Sequence, residues 1–399
     1  MRYLDEVTCL VHSGSGHMLQ IEQGFHVTIY PQTFAVIGAS EGALGLAVEL
    51  RLAGRRVIVS HGSLDDQTSE ELSVIQDINV DCQVESFVGG RQQVSVQGIE
   101  TTNSLAVAAR EADVIVLMTP QTTYENITRE LLRSLRDDHL VLLCPGGLGG
   151  PLLISRLAAE AGIQNLLVAQ TASMPIGARR TGKDKLTVVS KKNVLPVGVF
   201  PARRTRELLD RLKIDFPQLK PTMNVLECGL ASAAPGLHPI PMIMNAAKIE
   251  ADGPYVYDAY DITPTIANVI EALDEERQQI LRAIGAEVMT ISQLLEESYG
   301  TQGDNFYDIV HGVQAYRQVK SPPHLDYRYL TEDVPTQIVP AVLLATKLGV
   351  ETPLLAATVA FANAMHRRDY WKTGWNLEKL GLSDHSPDSI LTFLLKGQD

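Results

Sequence analysis

Between residues 33 and 200, short continuous apolar runs alternate with longer segments that have helical apolar spacing. Strands are predicted at 34–37, 57–59, 114–118 and 140–143, and the runs at 114–118 and 140–143 are typical of parallel strands covered on both faces. Strand-like segments continue at 166–168, 186–189 and 195–200. Helices are predicted at 43–53, where the pattern stops at Gly54, and at 203–212. This alternation predicts an α/β fold with a doubly wound, Rossmann-type sheet.

The pattern becomes mostly helical near residues 218–222. Thr263 is predicted as a helix N-cap with Pro264 at the first position, and apolar residues recur at helical spacing up to Gly285. Segments 287–299 and 335–348 are similar. We therefore predict a dinucleotide-binding domain at 33–220 and a mostly α-helical substrate domain at 221–399. Residues 1–32 form an extension of unassigned role, with a strand or small hairpin near 26–30.

The charge balance narrows the classes of partner. The net charge of −13 and a pI near 5.3 oppose binding to nucleic acid or anionic membranes. The sequence has neither an apolar window of membrane-spanning length nor a signal-peptide pattern, so we expect a cytoplasmic protein. The four cysteines form no CxxC pair, so no metal site is predicted.

A glycine-bearing turn, GASEGA at 38–43, follows the first strand and precedes the first helix. Dinucleotide-binding folds receive a pyrophosphate at this position through backbone N–H groups and the helix N-terminus. Ser40 and Ala43 replace two fingerprint glycines, while Gly42 and Gly45 add room nearby. An ordinary glycine-rich turn is the alternative. The residues predicted to bind the cofactor are Gly38, Ser40, Glu41, Gly42, Ala43, Ser60, His61, Thr119 and Pro120.

The second strand ends without the acid that usually binds the ribose of NADH. Ser60 and His61 stand there instead, and a hydroxyl group and an imidazole would tolerate a 2′-phosphate. The cofactor is therefore NADPH or NADH, with a slight preference for NADPH. Asp65 or Asp66 could turn inward and restore preference for NADH.

Two segments in the second half carry candidate chemistry. Pro239 is predicted to push His238 out of the α region, and Pro241 suits the first position of a helix, so His238 should stand just ahead of a helix N-terminus. Further on, Thr331 is a candidate N-cap that would put Arg328 on an extended entry and Asp333 in the next first turn. A structural histidine, a surface ion pair and a capping acid are the alternatives.

The chain resembles the opine dehydrogenases from residue 34 to about residue 382. The most specific segments are LHPIPMIMNAA at 237–247, ESYG at 297–300, RYLTEDVP at 328–335 and NLEKLGL at 376–382. Such enzymes use NAD(P)H to condense a 2-oxo acid, typically pyruvate, with the amino group of an amino acid. The resemblance implies these substrates and a homodimer. An oxo-acid or ketopantoate-type reductase and a non-catalytic dinucleotide sensor are the alternatives.

The resemblance also implies roles for individual residues. His238 matches the catalytic histidine, Asp333 its proton-relay aspartate, and Arg328 the arginine that holds the oxo-acid carboxylate. Thr171 matches a threonine near the same oxo acid, whereas Gly147 stands where a family member has a pyruvate-contacting glutamine. Candidates for lining the amino-acid site are Asn245, Tyr260, Met242 and Tyr257, for which ordinary core packing is the alternative.

Overall fold

The computed structural model describes residues 9–12, 18–22, 26–29, 32–61, 84–86, 90–92, 96–182, 185–252, 261–317, 319 and 321–397. The strands are β1 Cys9–His12, β2 Met18–Glu22, β3 His26–Ile29, β4 Thr33–Ile37, β5 Arg56–Ser60, β6 Val84–Ser86, β7 Gly90–Gln92, β8 Ile99–Thr101, β9 Val114–Leu117, β10 Leu140–Leu143, β11 Leu167–Thr171, β12 Ile176–Gly182, β13 Lys185–Lys191, β14 Leu195–Phe200 and β15 Leu219–Pro221.

The described α-helices follow in the same chain order. They are α1 Glu41–Leu52, α2 Leu105–Glu111, α3 Tyr124–Leu131, α4 Gly150–Glu160, α5 Thr205–Leu212, α6 Val225–Leu230, α7 Ala234–Leu237, α8 Pro239–Met244, α9 Ala246–Asp252, α10 Pro264–Ala283, α11 Ile291–Tyr299, α12 Phe306–Gly312, α13 Arg328–Thr331, α14 Val339–Leu348, α15 Pro353–His366, α16 Tyr370–Thr373 and α17 Pro387–Lys396.

Eight strands form one sheet in the order β15-β14-β11-β10-β9-β4-β5-β8. From β11 to β8 all neighbours are parallel, and β14 and β15 run in the opposite direction. The chain moves outward from β4 through β5 to β8, and then returns to the other side of β4 with β9. The order therefore reverses between β4 and β9, which is where ligands bind in open α/β sheets. The predicted Rossmann-type fold is confirmed.

The residues of β4 show that both faces of the sheet are buried. Phe34 and Val36 pack into one hydrophobic cluster, with α1 and the β12–β13 hairpin. Ala35 and Ile37 pack into a second cluster on the opposite face, which continues into the helices of the second half. Because alternate residues of a strand point to opposite faces, a continuous apolar run is needed to bury both.

The β12–β13 hairpin is a separate two-stranded sheet that packs over α1. Lys191 of β13 pairs with Glu49 of α1 at 2.7 Å, with both side chains largely buried. The hairpin thus covers one side of the helix that starts at the glycine-bearing turn.

Helices dominate after β15, and the predicted N-cap at Thr263 is present: its hydroxyl accepts from the Ile266 N–H at 3.3 Å. The helix predicted at 287–299 begins later, at Ile291, because Thr290 and Gln293 form a capping box. The first residues of the helix predicted at 335–348 form a π-helical turn, Val334–Ile338, before α14.

The C-terminal helix α17 returns to the sheet. The Phe393 ring lies 5.1 Å from that of Phe200, and Arg203 Nε donates to the Lys396 carbonyl at 3.0 Å. The domain boundary at 220/221 stays a prediction, although the last strand ends at Pro221.

In the N-terminal extension, β1, β2 and β3 form an antiparallel sheet that includes the strand expected near residue 26. Within the described ranges, the helices are too short or too polar to span a lipid bilayer.

Candidate active site

The glycine-bearing turn lies at the carboxyl end of β4, beside the point where the strand order reverses. Gly38 has a φ of +138°, and a Cβ there would lie 2.7 Å from the Met118 carbonyl oxygen, so only glycine fits. Ser40 caps α1 by accepting from the Ala43 N–H at 3.2 Å. The turn therefore presents a helix N-terminus where a dinucleotide phosphate would bind.

The neighbouring glycines, Gly42 and Gly45, allow other parts of the protein to pack closely against α1. A Cβ on Gly42 would overlap the Met174 side chain, and one on Gly45 would lie 2.8 Å from the Ala178 Cβ. Glu41 also turns to the hairpin, where its carboxylate accepts from the Arg180 N–H at 2.7 Å. The expectation that Gly42 and Gly45 add room near the cofactor is corrected, because the Met174 side chain and the hairpin that follows it fill that room.

The other predicted cofactor residues lie at the same edge. The Gly38 N–H donates to the carbonyl of buried Ser60 at 2.7 Å. His61 is only 5% exposed, and neither ring nitrogen has a hydrogen-bond partner among the described residues. Thr119 and Pro120 follow β9, across the switch point, and Thr119 accepts a hydrogen bond from Thr123 at 3.0 Å. Asp65 and Asp66 lie outside the described residues, so cofactor preference stays a prediction.

His238 lies at the junction of two short helices, α7 and α8. Its backbone is helical, with φ −109° and ψ −67°, and its N–H donates to the Ala234 carbonyl at 2.9 Å. The expectation of a non-helical backbone is wrong, because the preceding turn outweighs the local effect of Pro239. Helix α8 accordingly begins at Pro239 rather than Pro241.

The imidazole of His238 is held on two sides. Its Nδ1 lies 2.6 Å from Asp333 Oδ2, across 95 positions of the sequence, and its ring stacks on Tyr329 at 3.8 Å between centroids. Asp333 is buried, and its other oxygen accepts from Gln337 Nε2 at 2.7 Å. Since a carboxylate accepts, Nδ1 donates, and Nε2 remains as the nitrogen that can exchange a proton with a ligand.

The segment around Arg328 differs from its prediction. The extended entry ends at Tyr327, Arg328 is the first residue of α13, and Thr331 is its last residue rather than an N-cap. Arg328 Nε lies 3.2 Å from a carboxylate oxygen of Glu332, one helical turn later, while Asp333 faces His238. Because the helix begins directly after Tyr327, Arg328 contacts Glu332 whereas Asp333 contacts His238.

The arginine keeps its charge in this setting. Burial lowers the pKa of Arg328, but the nearby Glu332 and Asp333 carboxylates outweigh burial and raise it above its ordinary value. Burial raises the pKa of Glu332, against the opposing effect of Arg328. The Arg328 side chain is 46% exposed, so a guanidinium remains available for an anionic ligand.

The other residues predicted to bind substrate are buried, or their polar groups already form hydrogen bonds. Thr171 is buried at the end of β11, and its hydroxyl donates to the Ser173 carbonyl at 2.7 Å. Asn245 Nδ2 donates to the carbonyls of Pro241 and Asp261 at 2.8 and 3.0 Å, so the N–H groups of its side chain bind the backbone. Met242 is a core residue with no exposure, which corrects its place among the lining candidates. Tyr257 and Tyr260 lie outside the described residues.

Gly147 has a φ of +66°, and a Cβ there would lie 2.7 Å from Gln121 Oε1 and 3.0 Å from the Trp375 ring.

Four residues that contact the candidate site residues were not predicted from the sequence. They are Tyr329, Glu332, Gln121 and Gln337. The first two lie in the RYLTEDVP segment, but only the fold reveals what they contact. No group of three or more His, Cys, Asp or Glu side chains in the described ranges could hold a metal ion.

Comparisons with known proteins show which families and folds the chain is similar to. Residues 221–366 match the family model described as NAD/NADP octopine/nopaline dehydrogenase, alpha-helical domain. The chain is 29% identical to an opine dehydrogenase of Arthrobacter sp. (strain 1C) over 355 residues, covering 89% of this chain and 96% of that protein.

Two solved structures have the same fold. An octopine dehydrogenase with NADH and L-arginine is similar with a TM-score of 0.70, at 19% identity, and covers 90% of this chain and 98% of its own. A yersinopine dehydrogenase with NADP+ bound has a TM-score of 0.66, at 15% identity, with 92% and 98% covered. Residues 221–366 thus match the octopine/nopaline dehydrogenase domain, and most of the chain is similar to an opine dehydrogenase.

Proposed function

We propose that the protein condenses a 2-oxo acid, with pyruvate as the first candidate, with the amino group of an amino acid and reduces the product to an opine. The observation that carries the proposal is the 2.6 Å contact between His238 Nδ1 and Asp333 Oδ2, on the segment that also carries Arg328. A braced imidazole and a guanidinium are the groups that proton transfer and carboxylate binding need.

The reaction assigns a task to each of these groups. The amine attacks the carbonyl carbon, the carbonyl oxygen gains two protons, one of them lost by the amine, and leaves as water, and the protonated imine that remains accepts a hydride at its carbon to give a secondary amine. His238 Nε2 takes the proton that the attacking amine loses and returns a proton to the departing oxygen, while Asp333 stabilises the imidazolium. Arg328 binds the oxo-acid carboxylate and so fixes the carbon that reacts. Thr171 would flank the same oxo acid.

The cofactor proposal rests on the edge of the sheet. A Cβ at Gly38 would clash with the Met118 carbonyl, so the turn needs a glycine there, as the turns of dinucleotide-binding folds do. The N-terminus of α1, capped by Ser40, lies beside the switch point and can bind a phosphate. When bound there, NAD(P)H supplies the hydride. The amino-acid site would lie in the helical domain, where Asn245 and Tyr260 remain candidates.

Oxidation of NADPH and of NADH, followed with pyruvate against a panel of amino acids, tests this function. We expect an amine-dependent rate. If no amine raises the rate above that with pyruvate alone, the proposal fails. Activity with the oxo acid alone would identify a reductase, and cofactor binding without turnover would identify a sensor.

A cytoplasmic homodimer is also part of the proposal. The acidic composition and the exposed Leu354 and Phe361 on α15 support a protein that stays in the cytoplasm and self-associates. Light scattering coupled to size exclusion tests the assembly, and a monomer would contradict it.

A further inference from the structure

We propose that Glu332 is a positioning residue, which holds Arg328 against the sheet domain so that the open edge of its guanidinium meets the carboxylate of the oxo acid. This inference rests on the proposed function, because it gives Glu332 its task through the oxo-acid site.

The contacts of Glu332 join two distant parts of the chain. The residue is 2% exposed, and its Oε1 accepts from the Gln121 backbone N–H at 3.1 Å, across 211 positions. Gln121 follows Thr119 and Pro120, which lie at the carboxyl end of β9. The carboxylate is therefore anchored to the edge of the sheet where the cofactor is proposed to bind.

The second oxygen, Oε2, faces Arg328 at the Nε edge of its guanidinium. It lies 3.2 Å from Arg328 Nε and forms an ion pair with it. Among the described residues, no group has the geometry to donate a hydrogen bond to Oε2. The Glu332 side chain is 3% exposed and that of Arg328 is 46% exposed. Because a guanidinium binds carboxylates through paired N–H groups, contact at Nε leaves the two terminal nitrogens for a ligand.

The segment after Glu332 is fixed to the same edge by further contacts. Thr336 Oγ1 lies 2.5 Å from Gln121 Oε1, and the Leu148 N–H donates to the Thr336 carbonyl at 3.1 Å. Thr336 belongs to the π-helical turn 334–338, a departure from α-helical geometry that is frequent at functional sites. Glu332 thus lies where one buried carboxylate can set the distance between Arg328 and the sheet.

The variant Glu332→Gln tests this role because it keeps the shape and one acceptor but removes the charge that faces Arg328. We expect the KM for the oxo acid to rise about ten-fold or more, with kcat changed less than about three-fold. The Kd for NAD(P)H, measured by fluorescence titration without substrates, should not change. The inference is overturned if the KM for the oxo acid stays at the wild-type value, or if only kcat falls.

Glu276→Gln is the matched control. Glu276 is also buried, and it accepts from the backbone N–H groups of Leu354 and Leu355 at 2.7 and 2.9 Å, without contact to the site residues described above. Both variants should lower the Tm, but only Glu332→Gln should raise the KM. If Glu276→Gln raises it equally, the effect is one of general stability and the inference fails.

A double-mutant cycle with Arg328→Lys supplies a second criterion. If Glu332 acts through Arg328, the double variant should have nearly the same KM as Arg328→Lys alone, because the shared interaction is lost once. Independent, multiplied effects would contradict the inference. Should Glu332→Gln not fold, Glu332→Asp replaces it, since its shorter carboxylate cannot keep both contacts, and an unchanged KM would again overturn the proposal.

The two proposals can fail separately. If the wild-type protein has no amine-dependent activity, the proposed function fails. If the wild type is active and the Glu332 variants have normal oxo-acid KM values, only the positioning role fails.

Discussion

The glycine-bearing turn and the His238–Asp333 pair are two regions built in opposite ways. In the turn, side chains are already used: Ser40 caps α1, Glu41 accepts from the hairpin, and Gly42 packs against Met174. What remains for a ligand is backbone. In the other region, one side of the His238 imidazole is held by Asp333, and its remaining nitrogen is left for chemistry.

This difference explains how each region can be detected. A backbone site needs only a strand, a turn and a helix start that are adjacent in sequence, so a local pattern can predict it. A side-chain site needs groups of the right chemistry from distant segments, and their separation carries no periodic signal. Substitutions should consequently act on chemistry in the second region and on cofactor affinity in the first.

The largest effect is expected from Asp333→Asn. The amide cannot stabilise an imidazolium and can favour the wrong tautomer of His238, so kcat should fall by about 10²- to 10⁴-fold. Steady-state rates with saturating oxo acid and amine measure the loss. The Tm and the Kd for NAD(P)H serve as controls for folding, and near-wild-type turnover would rule out the proton relay.

A smaller effect, on a different parameter, is expected from Arg328→Lys. An ammonium group cannot form a paired contact with a carboxylate, so the KM for the oxo acid should rise by roughly ten- to a hundred-fold while the KM for the amine changes less. Initial rates with each substrate varied separately measure both constants. An equal rise in both would mean that Arg328 does not discriminate between the substrates.

Substitutions in the turn should change cofactor binding instead. Gly38→Ala puts a Cβ 2.7 Å from a backbone carbonyl at a φ of +138°, so we expect a loss of about 1–3 kcal/mol in stability and weaker NAD(P)H binding. Gly42→Ala meets the flexible end of the Met174 side chain, which can move, and should have a smaller effect. Thermal unfolding and fluorescence titration compare the two, and equal effects would contradict the steric explanation.

Much of the fold could be predicted from local signals. The run 34–37 buries both faces of β4, and the Thr263 cap and Pro264 start α10 as expected. The errors arose where a local rule met a neighbouring turn: His238 stays helical ahead of Pro239 because the Ala234 carbonyl binds its N–H, and α13 starts at Arg328 because the extended backbone ends at Tyr327.

The site could be predicted only in part. The resemblance pairs His238 with Asp333 across 95 positions, but spacing alone gives no reason for that contact. The Glu332–Gln121 contact spans 211 positions and joins a side chain to a backbone amide, so no side-chain pattern records it. The use of Gly42 and Gly45 by the hairpin depends likewise on how β12 and β13 fold back over α1.

The smallest predicted effect concerns His139, a structural histidine that contrasts with His238 in the candidate active site. His139 is buried, its Nδ1 accepts from the Arg136 N–H at 3.0 Å, and burial, together with the Arg136 charge, lowers its pKa to about 4. As the pH falls from about 6.5 towards 4, the unfolded histidine binds a proton that the folded one resists, so stability decreases.

His139→Gln should remove this part of the acid sensitivity, while it costs about 1 kcal/mol at neutral pH through the lost hydrogen bond. Activity at neutral pH should stay near that of the wild type, because His139 lies at the start of β10, at the opposite end of the sheet from the active site. Unfolding by denaturant at a series of pH values measures the change. If the free energies of unfolding of both proteins fall equally between pH 6.5 and 4, His139 does not cause the acid sensitivity.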